Sequence, residues 1–234
     1  MVGGLIIGSY AATQGTSDTG DVAVATQTET VTGTPTATGT EEPTGTATGS
    51  ATPTATETPG PKQYEAAPEL TIDTKKTYFA TIRTTKGDIR VQLDAVKATQ
   101  TVNSFVFLAR EGYFDGVTFD RVLPGFVAQV GKPSGLDGPG YTIPDESNDL
   151  KHETGVVAMA KPNDPQTGLP EPNSAGAEFY ITFAPQPSLD GTNTVFGKVV
   201  TGMEVLQQLV PRDPSGGGDP PPGDTILTIT IEEQ

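Results

Sequence analysis

Apolar and polar residues alternate with period two through Tyr78-Phe79-Ala80-Thr81-Ile82-Arg83-Thr84-Thr85 and again through Ile89-Arg90-Val91-Gln92-Leu93. Such alternation gives a strand one buried and one exposed face. Lys86-Gly87-Asp88 between the two runs makes them a hairpin. The period then changes. Val102, Phe105, Val106, Leu108 and Ala109 recur at helical spacing, and Gly112 stands just past them as a stop signal. That pattern predicts one amphipathic helix of about three turns. The stretch from Phe119 to Gln129 reads as a short apolar strand, a Pro124-Gly125 corner and a second apolar strand. Further strands are predicted at Val156–Ala160, Glu178–Phe183 and Val195–Val200, with Leu189-Asp190-Gly191 as a turn. Met203, Leu206, Leu209 and Val210 predict a second short helix, and Thr225–Ile231 alternates cleanly. Gly131–Tyr141 and Lys161–Ala175 are rich in Gly, Pro and Asn and read as loops. Many short strands with only two helices predict a mainly β, antiparallel barrel or sandwich, the helices being enough to plug the ends of a small barrel.

This patterning is confined to the later part of the chain. Residues 14–69 are dominated by Thr, Ala, Gly and Pro, as in Ala51-Thr52-Pro53-Thr54-Ala55-Thr56-Glu57-Thr58-Pro59. With so few large apolar side chains, such a segment cannot offset the entropy of ordering and is expected to be a disordered linker. Thr/Pro tracts of this kind fit a stalk holding a domain away from a surface, and equally a plain solvated linker. Residues 1–13 begin with the apolar run Met1–Ala12, too short for a spanning helix of ~20 residues but long enough for the ~7–15 of a signal core. Ser9-Tyr10-Ala11 fits a cleavage site, while the basic leader is missing. The segment reads as the remnant of a signal or membrane anchor, and an apolar start without such a role stays open. Residues 70–234 are the expected globular domain, held outside the cytoplasm.

Charge and composition narrow the chemistry. The formal charge of −15 divides into −6 over residues 1–61, which hold no Lys or Arg, and −9 over the rest. No basic cluster is present, so nucleic acid is not an expected partner. The chain has no Cys and one His, His152, which excludes disulfides, thiol nucleophiles and paired imidazoles. His152 lies in a polar stretch and reads as structural or solvated. Asp145, Glu146, Asp149 and Glu153 lack the spacing of a calcium loop and read as a solvated loop. What remains unexplained is Arg121 with Gln129 among residues that favour burial. An Arg in that setting is either structurally paired or lines an apolar pocket.

Six blocks in order carry a family resemblance: Thr101-Val102-Asn103-Ser104-Phe105, Gly112–Phe119, Arg121-Val122-Leu123-Pro124-Gly125-Phe126, Asn173-Ser174-Ala175-Gly176, Leu189-Asp190-Gly191 and Thr194–Val199. Together they resemble the cyclophilins, β-barrel peptidyl-prolyl cis-trans isomerases, over about Tyr78 to Glu232. The resemblance implies a closed eight-stranded antiparallel barrel capped by two α-helices. It implies catalytic roles for Arg121, Phe126 and Gln129, with Gln129 orienting Arg121. It implies substrate contacts at Val127, Ala160, Phe179, Tyr180 and Leu189, and a rim position at Asn193. It implies no metal or cofactor, a monomer, X-Pro-containing polypeptides as substrates and a role in folding exported proteins. A non-catalytic proline-peptide-binding module or chaperone of the same fold is the alternative. The chain departs from the family at Asp120 and Asn193, where histidines are usual, at Ser188 in place of tryptophan, at Glu178 in place of glutamine, and in the longer loop Lys161–Ala175. Adjacent strand residues face opposite sides, so Asp120 is expected to point away from Arg121 across the strand.

Overall fold

The first hairpin sets the register of the sheet. In the computed structural model, which describes residues 62–217 and 219–234, β1 (Tyr78–Thr84) runs antiparallel to β2 (Gly87–Leu93). Tyr78 lies opposite Leu93, Ala80 opposite Val91 and Ile82 opposite Ile89, and all six are buried, as the period-two pattern requires. β8 (Ile226–Glu233) adds to the other side of β1, and β7 (Val195–Thr201) to that of β2. From β7 the sheet continues through β5 (Val156–Met159), β6 (Phe179–Thr182) and β4 (Val127–Val130) to the two-residue β3 (Arg121–Val122).

β3 and β8, the two ends of this eight-stranded sheet, are tied through the residues just ahead of them. Thr118 bridges Thr225, the Gly116 N–H donates to the Ile226 carbonyl at 2.9 Å, and the Phe119 N–H donates to the Asp224 carbonyl at 2.8 Å. Val122 also exchanges two main-chain bonds with Arg212. The fold is thus mainly β, antiparallel and eight-stranded with two helices. A closed barrel was the expectation, and the closure is made by a short bridge, Thr118 to Thr225.

α1 (Thr99–Arg110) buries Val102, Phe105, Val106, Leu108 and Ala109, the residues at helical spacing. Phe105 meets Phe114, Phe179 and Phe196 with ring centroids 5.4, 5.4 and 5.3 Å away, an aromatic cluster at the centre of the core. Ala98 supplies no side-chain cap to the helix. Glu146 does so instead: its two carboxylate oxygens accept from the N–H groups of Gln100 at 2.9 Å and Thr101 at 2.8 Å, and from the Thr101 hydroxyl at 2.7 Å. Glu146 is therefore a helix cap and not part of a solvated loop, its charge set against the positive end of the helix dipole. Its neighbours pair separately, Asp145 with Lys161, Asp149 with Lys97 and Glu153 with Lys198.

Two boundaries differ from the sequence expectation. α2 (Met203–Leu206) is a single turn, shorter than the apolar run to Val210 suggested. The Val210 N–H donates to the Asp224 carboxylate at 2.7 Å, and Pro211 follows, which disfavours helical geometry at Val210. Residues 62–69, placed with the linker by composition, lie against the barrel. Tyr64 packs edge-on to Phe107 at 4.9 Å and its N–H bonds the Pro139 carbonyl, while the Asn103 amide donates to the Glu69 carbonyl. One aromatic anchor outweighs the polar average of its surroundings. The expectations for residues 1–13 and for the linker up to residue 61 lie outside the described residues. No helix among the described residues is long and apolar enough to cross a membrane.

Because Glu146 satisfies two helix-end donors with a charged acceptor, Glu146→Ala is expected to lower unfolding free energy by about 1–3 kcal/mol. Chemical denaturation of the two proteins measures it, and an unchanged midpoint would remove the capping role.

Candidate active site

The Pro124-Gly125 corner builds the site. Gly125 has φ +80°, the left-handed conformation that a type II turn needs at its third residue, and Pro124 presets the second. The Phe126 N–H closes the turn on the Leu123 carbonyl at 2.9 Å. The reversal lays β3 on β4 with Arg121 opposite Gln129, and across the next strands Gln129 faces Tyr180 and Tyr180 faces Ala158. Residues opposite one another share a face, so Arg121, Gln129, Tyr180 and Ala158 form a row on the outside of the barrel. There a second apolar cluster, separate from the inner core, gathers Val127, Val156, Ala158, Ala160, Tyr180 and Val195, with Phe126, Leu150 and Leu189 packed against it.

Arg121 stands at the edge of this patch. Its guanidinium carbon lies 6.0 Å from the centroid of the Phe126 ring. Among the described residues, it makes no ion pair and no side-chain hydrogen bond. Gln129, expected to orient it, donates its amide to the Glu178 carboxylate at 2.9 Å. Val127, Ala160 and Tyr180 belong to the outer cluster and Leu189 borders it. Asn193 is half-buried nearby, donating to the Met159 carbonyl at 2.9 Å and accepting from Thr192.

Phe179 is placed differently from the expectation. It is fully buried in the inner core against Phe105, Phe114 and Phe196. Alternation along β6 sends Tyr180 outward and Phe179 inward, so Phe179 is not a surface contact for a ligand.

Phe119 and Val122 are both buried, so the two residues between them break the alternation and both lie off the core side. Asp120 makes no ion pair with Arg121 among the described residues and borders a cavity with Tyr113, Lys132 and Arg212. Burial first, and the Glu178 charge second, raise its carboxyl to about 6.

No local sequence signal marks the polar support behind the patch. His152, taken as structural or solvated, is buried; its Nε2 lies 2.9 Å from the Tyr180 hydroxyl and its Nδ1 lies 3.0 Å from Asp190 Oδ1. The ionised Asp190 can only accept, so Nδ1 carries the proton and Nε2 accepts from Tyr180. The His152 N–H donates to the same Asp190 oxygen at 2.9 Å. Burial holds the imidazole below its ordinary pKa despite Asp190, which acts in the opposite sense. These partners come from a polar loop and a turn distant in sequence, so no local pattern reveals them. The loop Lys161–Ala175 turns back on itself through a bridge between Asn163 and Pro170. It is pinned where the Lys161 ammonium, 3% exposed, meets Asp145 at 2.8 Å.

Larger cavities lie elsewhere. One of about 660 Å³ is bounded by Lys75, Lys97 and Lys151, and another of about 670 Å³ by Tyr113, Asp120, Lys132 and Arg212. The Arg121 site is a shallow apolar surface with a charged donor at its margin. That arrangement can grip a small apolar ring and offer hydrogen bonds to a nearby acceptor, with no nucleophile at hand.

Residues 79–231 match the family described as cyclophilin type peptidyl-prolyl cis-trans isomerase/CLD. The chain is 40% identical over 158 residues to a peptidyl-prolyl cis-trans isomerase of Helicobacter pylori, covering 65% of this chain and 90% of that one. It is 44% identical over 156 residues to one from Synechococcus elongatus, covering 65% and 94%. Among solved structures, it is similar to a cyclophilin type peptidyl-prolyl cis-trans isomerase of Cryptosporidium parvum crystallised in the presence of the dipeptide Ala-Pro. The TM-score is 0.58 at 29% identity, over 66% of this chain and 98% of that one.

Since His152 is held neutral, its contribution to stability is present above its ordinary pKa of 6.5 and is lost as pH falls below that value. The stability difference between wild type and His152→Gln is therefore expected to shrink from pH 7.5 towards pH 5. Denaturation curves across that range test this, and a constant difference would mean that the imidazole does not titrate with folding.

Proposed function

The chain belongs to the cyclophilin-type peptidyl-prolyl cis-trans isomerase family and is an enzyme of that reaction, and we propose that Arg121 and the outer apolar cluster carry it. An X-Pro amide rotates over a barrier of ~18–20 kcal/mol because its C–N bond is partly double. Rotation breaks no bond. It is accelerated by binding the twisted amide better than either planar form. Twisting returns the lone pair to the prolyl nitrogen, which becomes an acceptor. A guanidinium suits the donor's part because it stays charged and presents a rigid fork of N–H groups.

In this reading Phe126, Val127, Ala160, Tyr180 and Leu189 grip the proline ring, and Arg121 donates to the nitrogen or the neighbouring carbonyl as the amide twists. The observation that carries the reading is Arg121 itself, a guanidinium without an ion pair among the described residues, beside an apolar surface. A non-catalytic binding module would be favoured if Asp120 or Glu178 occupied Arg121, and neither forms an ion pair with it among the described residues. X-Pro segments of unfolded polypeptides are the substrates we infer, and the folding of exported proteins the role. The Thr/Pro-rich segment between residues 14 and 61 supports a domain tethered outside the cytoplasm.

A preorganised donor in a partly dry site is worth about 3–4 kcal/mol, so Arg121→Ala should lower kcat/KM on an X-Pro test peptide by on the order of a hundredfold or more. A protease-coupled assay on the purified, folded variant measures this; a wild-type rate would sink the assignment. The tether has its own test in cell fractionation, where recovery of the full-length protein solely from the cytosol would rule out export.

A further inference from the structure

His152 is the one imidazole of the chain, it is buried, and the chemistry at Arg121 leaves it without a part. All four of its polar groups are engaged. Nε2 accepts from the Tyr180 hydroxyl at 2.9 Å. Nδ1 and the main-chain N–H both donate to Asp190 Oδ1, at 3.0 and 2.9 Å. The main-chain carbonyl accepts the Gln186 N–H at 2.7 Å. Gln186 and Asp190 flank the single 3-10 turn Pro187–Leu189, so His152 holds both ends of the turn that carries Leu189. The Gln186 side-chain amide donates in turn to the Gly125 carbonyl at 3.0 Å, which ties the corner just before Phe126 to the same hub. We propose that His152 is a positioning residue of the isomerase site, spacing Tyr180, Leu189 and Phe126 so that the pocket takes a five-membered prolyl ring and rejects a larger one. The inference rests on the isomerase reading of that pocket.

The three apolar side chains share one cluster but come from different segments. The sheet ladder places Tyr180 along β6. Pro187–Leu189 belongs to no strand, and none of its three residues is buried. Its internal bonds, from the Leu189 N–H to the Gln186 carbonyl at 3.0 Å and from the Asp190 N–H to the Pro187 carbonyl at 3.2 Å, shape the turn without placing it. Its distance from Tyr180 therefore depends on what holds its ends. Lys151 reaches the other Asp190 oxygen at 3.5 Å, but that ammonium is largely exposed and a pair of this kind holds little. The imidazole is rigid and buried, and with both nitrogens engaged it fixes the span from the Tyr180 hydroxyl to Asp190. An apolar pocket discriminates one methylene by about 10–200-fold, and only when its walls do not yield to the larger ring. His152 thus acts on the size of the ring, whereas the twist of the amide belongs to Arg121.

The test compares an X-Pro peptide with the same peptide carrying piperidine-2-carboxylic acid, whose ring is one methylene larger, in place of proline. For the full chain, kcat/KM relative to each peptide's spontaneous rate is expected to favour proline about tenfold or more. Tyr180→Phe cuts the bond to His152 and keeps the ring, while His152→Ala removes both imidazole bonds. In each variant the preference should shrink severalfold. The double variant should lose no more than His152→Ala alone, because one link carries both effects. A folded His152→Ala that keeps the wild-type preference, or that slows on both peptides by the same factor, would overturn the proposal; equal slowing is what a merely structural histidine produces. Should His152→Ala fail to fold, Tyr180→Phe and Asp190→Ala cut the link from either side, and an unchanged preference in both would overturn it equally. NMR titration of the two peptides gives the same preference as a ratio of Kd values without turnover. A protein that binds with this preference but does not isomerise would therefore count against the isomerase reading alone.

Discussion

The register of the four strands β3, β4, β6 and β5 is the constraint on which the rest depends. Side chains on a strand alternate with period two, so a slip of one residue would exchange Tyr180 with Phe179 and remove the outer cluster while opening the core. The register is held from both sides. Inside, Phe179 is locked by three aromatic rings at 5.4–6.4 Å. Outside, Tyr180 is fixed by His152, and at the end of the row the type II turn at Pro124-Gly125 sets how far β3 advances along β4. Arg121 is positioned by these contacts of its neighbours, since it makes no side-chain hydrogen bond of its own among the described residues.

The polar groups behind the patch follow from the same placement. A hydroxyl on a buried ring needs a partner, and Tyr180 finds His152, which in turn finds Asp190. Asp190 stands just after Leu189, so the bond that steadies Tyr180 from below also anchors the segment that brings Leu189 to the border of the cluster. The long polar segments serve as supports of this kind. Glu146 caps the start of α1, and Asp145 pairs with the buried Lys161 ammonium at the root of the loop to residue 175.

What could be read from the chain beforehand divides along physical lines. β1, β2, α1 and β8 were legible because each carries its own periodicity, and the outer positions Arg121, Phe126 and Val127 because they fall within one contiguous block. Resemblance marks Phe179 as a position without its direction, and direction is decided by pairing with β4 and β5. His152 and Glu146 were hidden because their partners are remote: Tyr180 is 28 positions from His152, and Thr101 is 45 from Glu146. Lys62–Glu69 escaped because a composition average conceals a single tyrosine.

Acids beside a cation ordinarily pair with it; Asp120 adjoins Arg121 in the chain, and Glu178 bonds the Gln129 that lies opposite it. Glu178 is committed to the Gln129 amide, and neither acid forms an ion pair with Arg121 among the described residues. That choice costs desolvation at Asp120, visible as its raised pKa, and leaves the donor fork of Arg121 open towards the apolar patch. In the mechanism proposed for Arg121, stabilising a transient acceptor needs a donor that is charged and uncommitted, and Arg121 forms no ion pair among the described residues.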